Sequence, residues 1–390
     1  MGNVNALLVA IFCFSLGFKY FDDLYRYINF IAIIFVLYKY KNNIGTEIAN
    51  IPLAVKVAYV IFWGGMIVPS VMCGDNSDIN KSFEYVRYSC PLLIGMLLAN
   101  GNNIKKGVLL GFTSALLCTA AYGLTDYFFY ERKRLISIYS HPNFAATYLE
   151  MIVPFVLFYF FEYVRRHKGN KYQYAIIAFV LAMGIISLFL TGSRGAIIGL
   201  VVAIVVSVFI YGFKYLNRAK FLFGTILVLL FVGTSLFSFW FLNNKQFTRS
   251  YDGERLLLIE SSYNMWNDNK LFGVGLTKWK EEYSTKYILP EAKEPNLVQP
   301  HNIIAYYFST TGLVGGLSFL IFSSLIFYYL CKNLQCVYNG GLFCAAMLVG
   351  FIAVMLHGLV DIGIVRKEFF RLFSGCLGIT IAMISKEKKC

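Results

Sequence analysis

The sequence predicts an all-α integral membrane protein with about twelve transmembrane helices and one large loop on the face opposite the cytoplasm. Three observations predict it. Of 390 residues, 58% are hydrophobic and only 14% charged, whereas a soluble domain carries about 25% charged residues. Apolar runs recur along the chain between short polar breaks, and about 20 apolar residues suffice for a helix to cross a bilayer. Lysine and arginine are concentrated in alternate breaks, as insertion with positive loops inside requires.

In order, the runs lie at roughly 5–20, 24–40, 51–72, 83–99, 107–125, 142–162, 172–190, 195–213, 220–242, 302–331, 341–358 and 368–385. No cleavable signal peptide is expected, because the first run lacks a basic n-region and a small-residue cleavage site. With the N-terminus in the cytoplasm, the inside loops include Lys39, Lys41, Lys105, Lys106, the RRHKGNK stretch from Arg165 to Lys171, and Lys386. These loops take nearly all of the formal net charge of +14. The basic balance therefore reports membrane topology and not nucleic-acid binding. The tenth run is too long for one straight helix and is interrupted at Gly312, Gly315 and Gly316. Broken backbone at membrane depth is tolerated only where it is buried in protein or lines a cavity.

This divides the chain into 1–242, holding spans one to nine, 243–300, the large and partly helical outside loop, and 301–390, holding spans ten to twelve. Loops this long are functional or disordered. Trp266, Trp279 and the LLLIESSYNMW stretch predict packed helix in this one. The nine cysteines are scattered, and most fall in apolar runs, where a thiol behaves as a small hydrophobe. Cys331 and Cys336 do not make a CxxC pair, and no histidine cluster accompanies them, so neither a metal site nor a disulfide framework is expected. No Walker A, GxGxxG or DxD motif occurs. No nucleotide, cofactor or metal is expected to take part.

The residues that can carry chemistry gather at one membrane face. Thr191-Gly192-Ser193-Arg194-Gly195 forms the outside turn between the seventh and eighth runs. It reads either as a glycine-closed hairpin with Arg194 on lipid headgroups, or as an arginine aimed at a phosphate. The planar guanidinium binds phosphate bidentately and keeps its charge, and the glycines allow close backbone approach. Gly253-Glu254-Arg255 opens a helix running to Trp266, and Arg255 gains meaning where it converges with Arg194. Pro300-His301-Asn302 closes the large loop; His301 reads as a headgroup contact or as a general base, with Asn302 capping the helix that follows. His357 and Asp361 are four apart at the outside end of the eleventh run. That spacing lets the carboxylate orient or charge the imidazole, and a purely structural pair is equally compatible with it. Glu150 is expected to face the bundle interior. His141-Pro142-Asn143 opens the sixth run, after Arg132, Lys133 and Arg134, three cations against the inside bias that suit a polyanionic lipid. Arginines and a boundary histidine without a nucleotide or metal motif point to a lipid-linked diphosphate, whose energy is already stored in its own linkage.

TGSRGA at 191–196, Glu254-Arg255 with Trp266 and Gly273-Val274-Gly275, PHN at 300–302 and HGLVD at 357–361 together resemble the bacterial O-antigen ligases. That superfamily also contains O-antigen polymerases. The resemblance covers about residues 140–365; the first four runs match only in hydropathy. It implies a metal-independent, inverting glycosyltransferase of lipopolysaccharide biosynthesis in the bacterial inner membrane, with its active site facing the periplasm. The donor would be an undecaprenyl-diphosphate-linked glycan and the acceptor a lipid A-core oligosaccharide. Arg194 and Arg255 would hold the diphosphate, His301 would activate or position the acceptor hydroxyl, and Asp361 would support it. His141, Asn302 and His357 join the candidate binding residues. One dominant outside loop favours a ligase over a polymerase, which would use the same donor. A transporter of the same lipid would instead place its ionisable residues at the midplane of repeat-related broken helices.

Overall fold

A computed structural model of the protein describes residues 2–17, 22–72, 76–99, 104–166, 171–215, 224, 251–334 and 341–387. Among these the regular structure is entirely helical. The helices are α1 (Gly2–Gly17), α2 (Asp22–Tyr40), α3 (Ile44–Ala49), α4 (Leu53–Met72), α5 (Asn76–Leu98), α6 (Ile104–Phe129), α7 (Pro142–Arg166), α8 (Lys171–Leu190) and α9 (Arg194–Tyr215). They continue with α10 (Tyr251–Asp268), α11 (Trp279–Glu282) with a π-helical turn (Tyr283–Tyr287), α12 (Ile303–Asn333), α13 (Gly341–His357) and α14 (Lys367–Glu387). Apolar runs become helices because only internal hydrogen bonding satisfies their backbone in lipid. Six described helices, α4, α6, α8, α9, α12 and α14, are long and apolar enough to cross a membrane, and α1, α7 and α13 contain shorter apolar stretches. Helices also form at the second and fourth expected runs. The ninth, 220–242, lies outside the described residues apart from Gly224.

The main packing pairs are α5 with α14, α4 with α12, α1 with α6, and α13 with α9 and α7. Small residues let these helices approach. On α1 and α6, a Cβ at Gly107 or Gly111 would overlap the backbone of Ala6 or Ala10; on α5 and α14, one at Gly378 would strike the backbone of Leu92. Close van der Waals contact of this kind drives helix association where lipid removes the hydrophobic difference between partners. Between α4, α12 and α14 the gap is filled by rings, with Phe62 centred 4.9 Å from Phe322 and 5.4 Å from Phe370.

The expected interruption of the tenth run is present at Gly312, whereas Gly315 and Gly316 continue the helix. Gly312 has φ 64° and ψ −158° inside α12, and this frees backbone groups on both sides of it. The loop ahead of the helix takes all four. Val274 and Gly275 donate their N–H groups to the carbonyls of Ser309 and Thr310 (both 2.9 Å), while Leu313 and Val314 donate to Lys270 (2.7 Å) and Leu271 (3.2 Å). The two backbones cross so closely that a Cβ on Gly273, itself at φ 70°, would sit on Thr310, Thr311 and Gly312. That crossing is the physical reason for glycine at both positions.

The large loop is packed, as the sequence suggests. Leu258 and Met265 of α10 build a small separate core with Val274, Trp279, Tyr283 and Tyr287. Trp279 stacks on Tyr283 at 5.0 Å and donates its indole N–H to Ser262 (3.2 Å). Buried Asp78, in the first turn of α5, fastens the loop from the other side by accepting from the N–H and hydroxyl of Thr277, each at 2.7 Å.

Candidate functional site

Helices α7, α9 and α12 begin, and α13 ends, at the same end of the bundle, and there a cavity of about 280 Å³ opens beneath α10. Its wall brings together Arg194, Arg255, His141, His301, His357 and Asp361, residues scattered over most of the chain. Arg134, Asn143, Ser193, Glu254 and Glu294 complete its polar lining. Asn302 is not in the wall. Its amide oxygen caps α12 by accepting from the N–H of Ala305 (2.9 Å), and its NH₂ donates to the carbonyl of Leu359 (2.9 Å).

Arg194 is the first residue of α9, and the turn before it is tightly bonded. The Thr191 hydroxyl donates to the Leu188 carbonyl (2.6 Å) and accepts from the Ser193 N–H (3.2 Å), and Gly192 takes φ 59°. A side chain on Gly195 would strike Val360 and His357. The glycines of this motif thus serve one turn and one close contact. At the helix start, the dipole adds to the arginine's positive field.

Arg255 reaches the cavity because its neighbour is tied down. The carboxylate of buried Glu254 accepts from the N–H groups of Lys293 (2.9 Å) and Glu294 (3.1 Å), which pins the first turn of α10 to the returning loop. The Glu254-Arg255 pair therefore divides its work. The acid folds the loop and the base faces the cavity.

His301 sits at φ 52°, an uncommon conformation for a residue with a Cβ. Its Nδ1 lies 3.2 Å from Asp361 Oδ1. That oxygen also accepts the N–H of Ile362 (2.8 Å), and Asp361 Oδ2 accepts from the Asn143 amide. Asn143 can point only one way, because Arg134 Nη2 donates to its Oδ1 (2.8 Å) while Arg134 Nε donates to the Thr191 carbonyl (2.6 Å). The chain Arg134, Asn143, Asp361, His301 is thus directional. Burial opposes charge on Asp361, but the His301 hydrogen bond, the two nearby imidazoles and the Asn143 amide outweigh it and hold the carboxyl well below the usual carboxylate range. A carboxylate on Nδ1 favours the tautomer that carries its proton there, leaving Nε2 as an acceptor.

The charges of His357 and Asp361 interact, but the two side chains share no hydrogen bond, so Asp361 does not orient this imidazole as their spacing suggests. Helix α13 stops at His357, so Asp361 lies beyond the last helical turn and turns to His301. His357 is instead buried, with Nδ1 2.9 Å from Glu150 Oε2 and Nε2 3.2 Å from the Ser193 hydroxyl. Glu150 does face the interior, fully buried on α7, and through His357 it supports the turn that carries Arg194. His141 lies at the cavity rim, its Nδ1 accepting the N–H of Asn143 at 3.2 Å. Desolvation lowers its pKa, and the charges of Arg134, His301 and Arg255 act the same way against that of Asp361. Among the described residues no group of three or more His, Cys, Asp or Glu side chains is placed to hold a metal ion.

The sequence alone gives no role to Asn143 or Ser193 and suggests lipid as the partner of Arg134. A signal for Asn143 existed. His141-Pro142-Asn143 opens α7 much as Pro300-His301-Asn302 opens α12, and both triplets meet at this cavity.

The arrangement offers two guanidinium groups beside an oriented imidazole, which suits holding an anionic leaving group while a proton is taken from a hydroxyl. A family model described as O-antigen ligase matches residues 177–320, the stretch containing Arg194, Arg255 and His301. No curated protein matches the chain.

Proposed function

We propose that this multi-pass membrane protein of the O-antigen ligase superfamily transfers a glycan from undecaprenyl diphosphate to a lipid A-core oligosaccharide. The observation that carries the reading is the convergence of Arg194, Arg255 and the His301–Asp361 pair in one cavity at one end of the bundle. In this reading the cavity faces the periplasm across the inner membrane, the chain crosses about twelve times, and 243–300 is the periplasmic loop, as the placement of lysine and arginine supports.

Arg194 and Arg255 bind the diphosphate and neutralise the charge that grows on it as the glycosidic bond breaks. His301, with Nδ1–H directed at Asp361, takes the acceptor proton on Nε2 while the acceptor oxygen attacks the anomeric carbon. The bond to undecaprenyl diphosphate breaks from the opposite side, so one displacement inverts that carbon. Asn143 and Arg134 hold Asp361, and Glu150 with His357 supports the Arg194 turn. No step draws on a metal or a nucleotide.

The test uses purified protein in detergent with undecaprenyl-diphosphate glycan and lipid A-core, without ATP and with chelator present. A core band that shifts, and that stays unshifted with Arg194→Ala or His301→Ala, supports the reading. Longer lipid-linked glycan without core-linked product would make the protein a polymerase. Restoration by Mg²⁺ or Mn²⁺ of a reaction lost to chelator would overturn the metal-free mechanism. No covalent product with either acceptor would return transport to the front.

A further inference from the structure

A second cavity, of about 450 Å³, opens between the start of α5, the large loop and the start of α14. Lys81, Lys280, Arg366 and Lys367 line it with a single carboxylate, Glu368, beside the buried side chains of Tyr88, Trp279 and Tyr306. We propose that this cavity holds the acceptor glycan through its phosphate groups while the acceptor hydroxyl is presented to His301. The inference rests on the transferase reading above and deepens it.

Two features support the assignment. The first is charge. Arg366 is oriented by Glu368 (3.0 Å) and by stacking over the Phe144 ring (4.2 Å), and Lys81 by Glu84 (3.0 Å). Lys280 is exposed, and the cations still outnumber the acid in the wall. Cations gathered in one wall suit an anionic saccharide, whose phosphates they meet. The donor diphosphate already has its own arginines in the first cavity, so this second cationic site answers a different anion.

The second feature is continuity. Two chain segments line both cavities. Leu297 and His301 face the first, with Val298 and Gln299 in the second; Val360 and Asp361 face the first, with Val365 to Glu368 in the second. Two residues of chain span at most about 7 Å, so Gln299 lies within that reach of His301. A saccharide anchored in the second cavity is thus held beside the imidazole.

Binding to the purified full-length protein is measured by titration calorimetry with lipid A-core and with the same material after phosphatase treatment. Wild type should bind the phosphorylated form about tenfold more tightly or better. In Lys280→Gln/Lys367→Gln that preference should shrink to within about twofold, with the acceptor KM raised about tenfold and the donor KM unchanged. Lys280→Glu, at an exposed position, should show the same trend without a folding penalty. Equal affinity for the two forms, an unaltered preference in the variants, or full displacement by phosphatidylglycerol would each overturn the proposal; the last would assign the cavity to a lipid headgroup. Absence of any core binding overturns it too. In that case intact donor binding with donor-only elongation shows that the transferase reading failed with it, whereas continued transfer to core shows that only the second cavity was misassigned.

Discussion

Replacing Asp361 by asparagine changes one oxygen for one NH₂ and leaves the shape intact, yet the structure leaves no comfortable place for that NH₂. Oδ1 accepts from Ile362 N–H and faces His301 Nδ1; Oδ2 accepts from Asn143. Asn143 cannot turn its oxygen round, because Arg134 holds that oxygen from the other side. If the new NH₂ faces Asn143, two donors collide, at a cost of about 1–3 kcal/mol for the buried group left unpaired. If it faces His301, the imidazole is driven to the other tautomer, with its proton on Nε2 and no lone pair for the acceptor hydroxyl. A wrong tautomer behind an otherwise intact site costs about 10⁴ in kcat where it has been measured in a histidine–carboxylate pair, and general-base assistance contributes about 10²–10⁴. We expect kcat for transfer to core to fall by about 10²–10⁴, with donor affinity within about threefold of wild type because Arg194 and Arg255 are untouched. The assay is steady-state transfer with donor and acceptor varied separately, beside thermal unfolding in detergent to show that the variant is folded. A kcat within about threefold of wild type would refute the directional chain and the role given to His301.

Other expectations follow from the same structure. Arg194→Lys should retain charge but lose most transfer, by about tenfold or more in kcat/KM, because an ammonium does not reproduce a bidentate fork; near-normal kinetics would make the residue a simple counter-charge. Glu150→Ala leaves the buried His357 without its closest partner and should lower stability by about 1–3 kcal/mol, while raising the donor KM through the Ser193 turn; Glu150→Gln, which keeps an acceptor oxygen, should recover most of both. Gly273→Ala must adopt φ 70° with its methyl on the α12 backbone and should cost about 2 kcal/mol or more, read as a lower Tm and faster proteolysis within 270–275. Since the folded pKa of Asp361 is lowered, its contribution to stability is present above its unfolded value of about 3.9 and is lost as pH falls through the folded value. Wild type should therefore lose Tm more steeply than Asp361→Asn below about pH 4, and parallel curves would contradict this.

Much of this is legible in the sequence, for identifiable reasons. Apolar runs specify helices because lipid offers the backbone no alternative partner, and Gly312 marked the break because few residues tolerate its backbone angles. Arg194, Arg255 and His301 stand out because charged and titratable residues are scarce in so apolar a sequence. What failed was reasoning from local spacing about groups that take distant partners. His357 and Asp361 are neighbours in sequence, but the helix ends between them, and each side chain looks across the bundle, one to Glu150 and the other to His301. No periodicity encodes such pairs. Arg134 likewise reads as a surface cation until Asn143 and the Thr191 carbonyl are seen on either side of its guanidinium.

The crossing of residues 270–275 with the interrupted helix bears on how this protein can be recombined with another. Those few residues act as part of α12 in all but chain order, because the helix completes its hydrogen bonding only through them. A chimera that exchanges the large loop at its obvious ends would remove them, and would strand four peptide groups at the break, each costing several kcal/mol wherever lipid is the solvent. Grafts cut after Gly275 keep the seam intact. The exchangeable part of the loop is accordingly shorter than hydropathy alone marks out, and it begins where Thr277 meets Asp78.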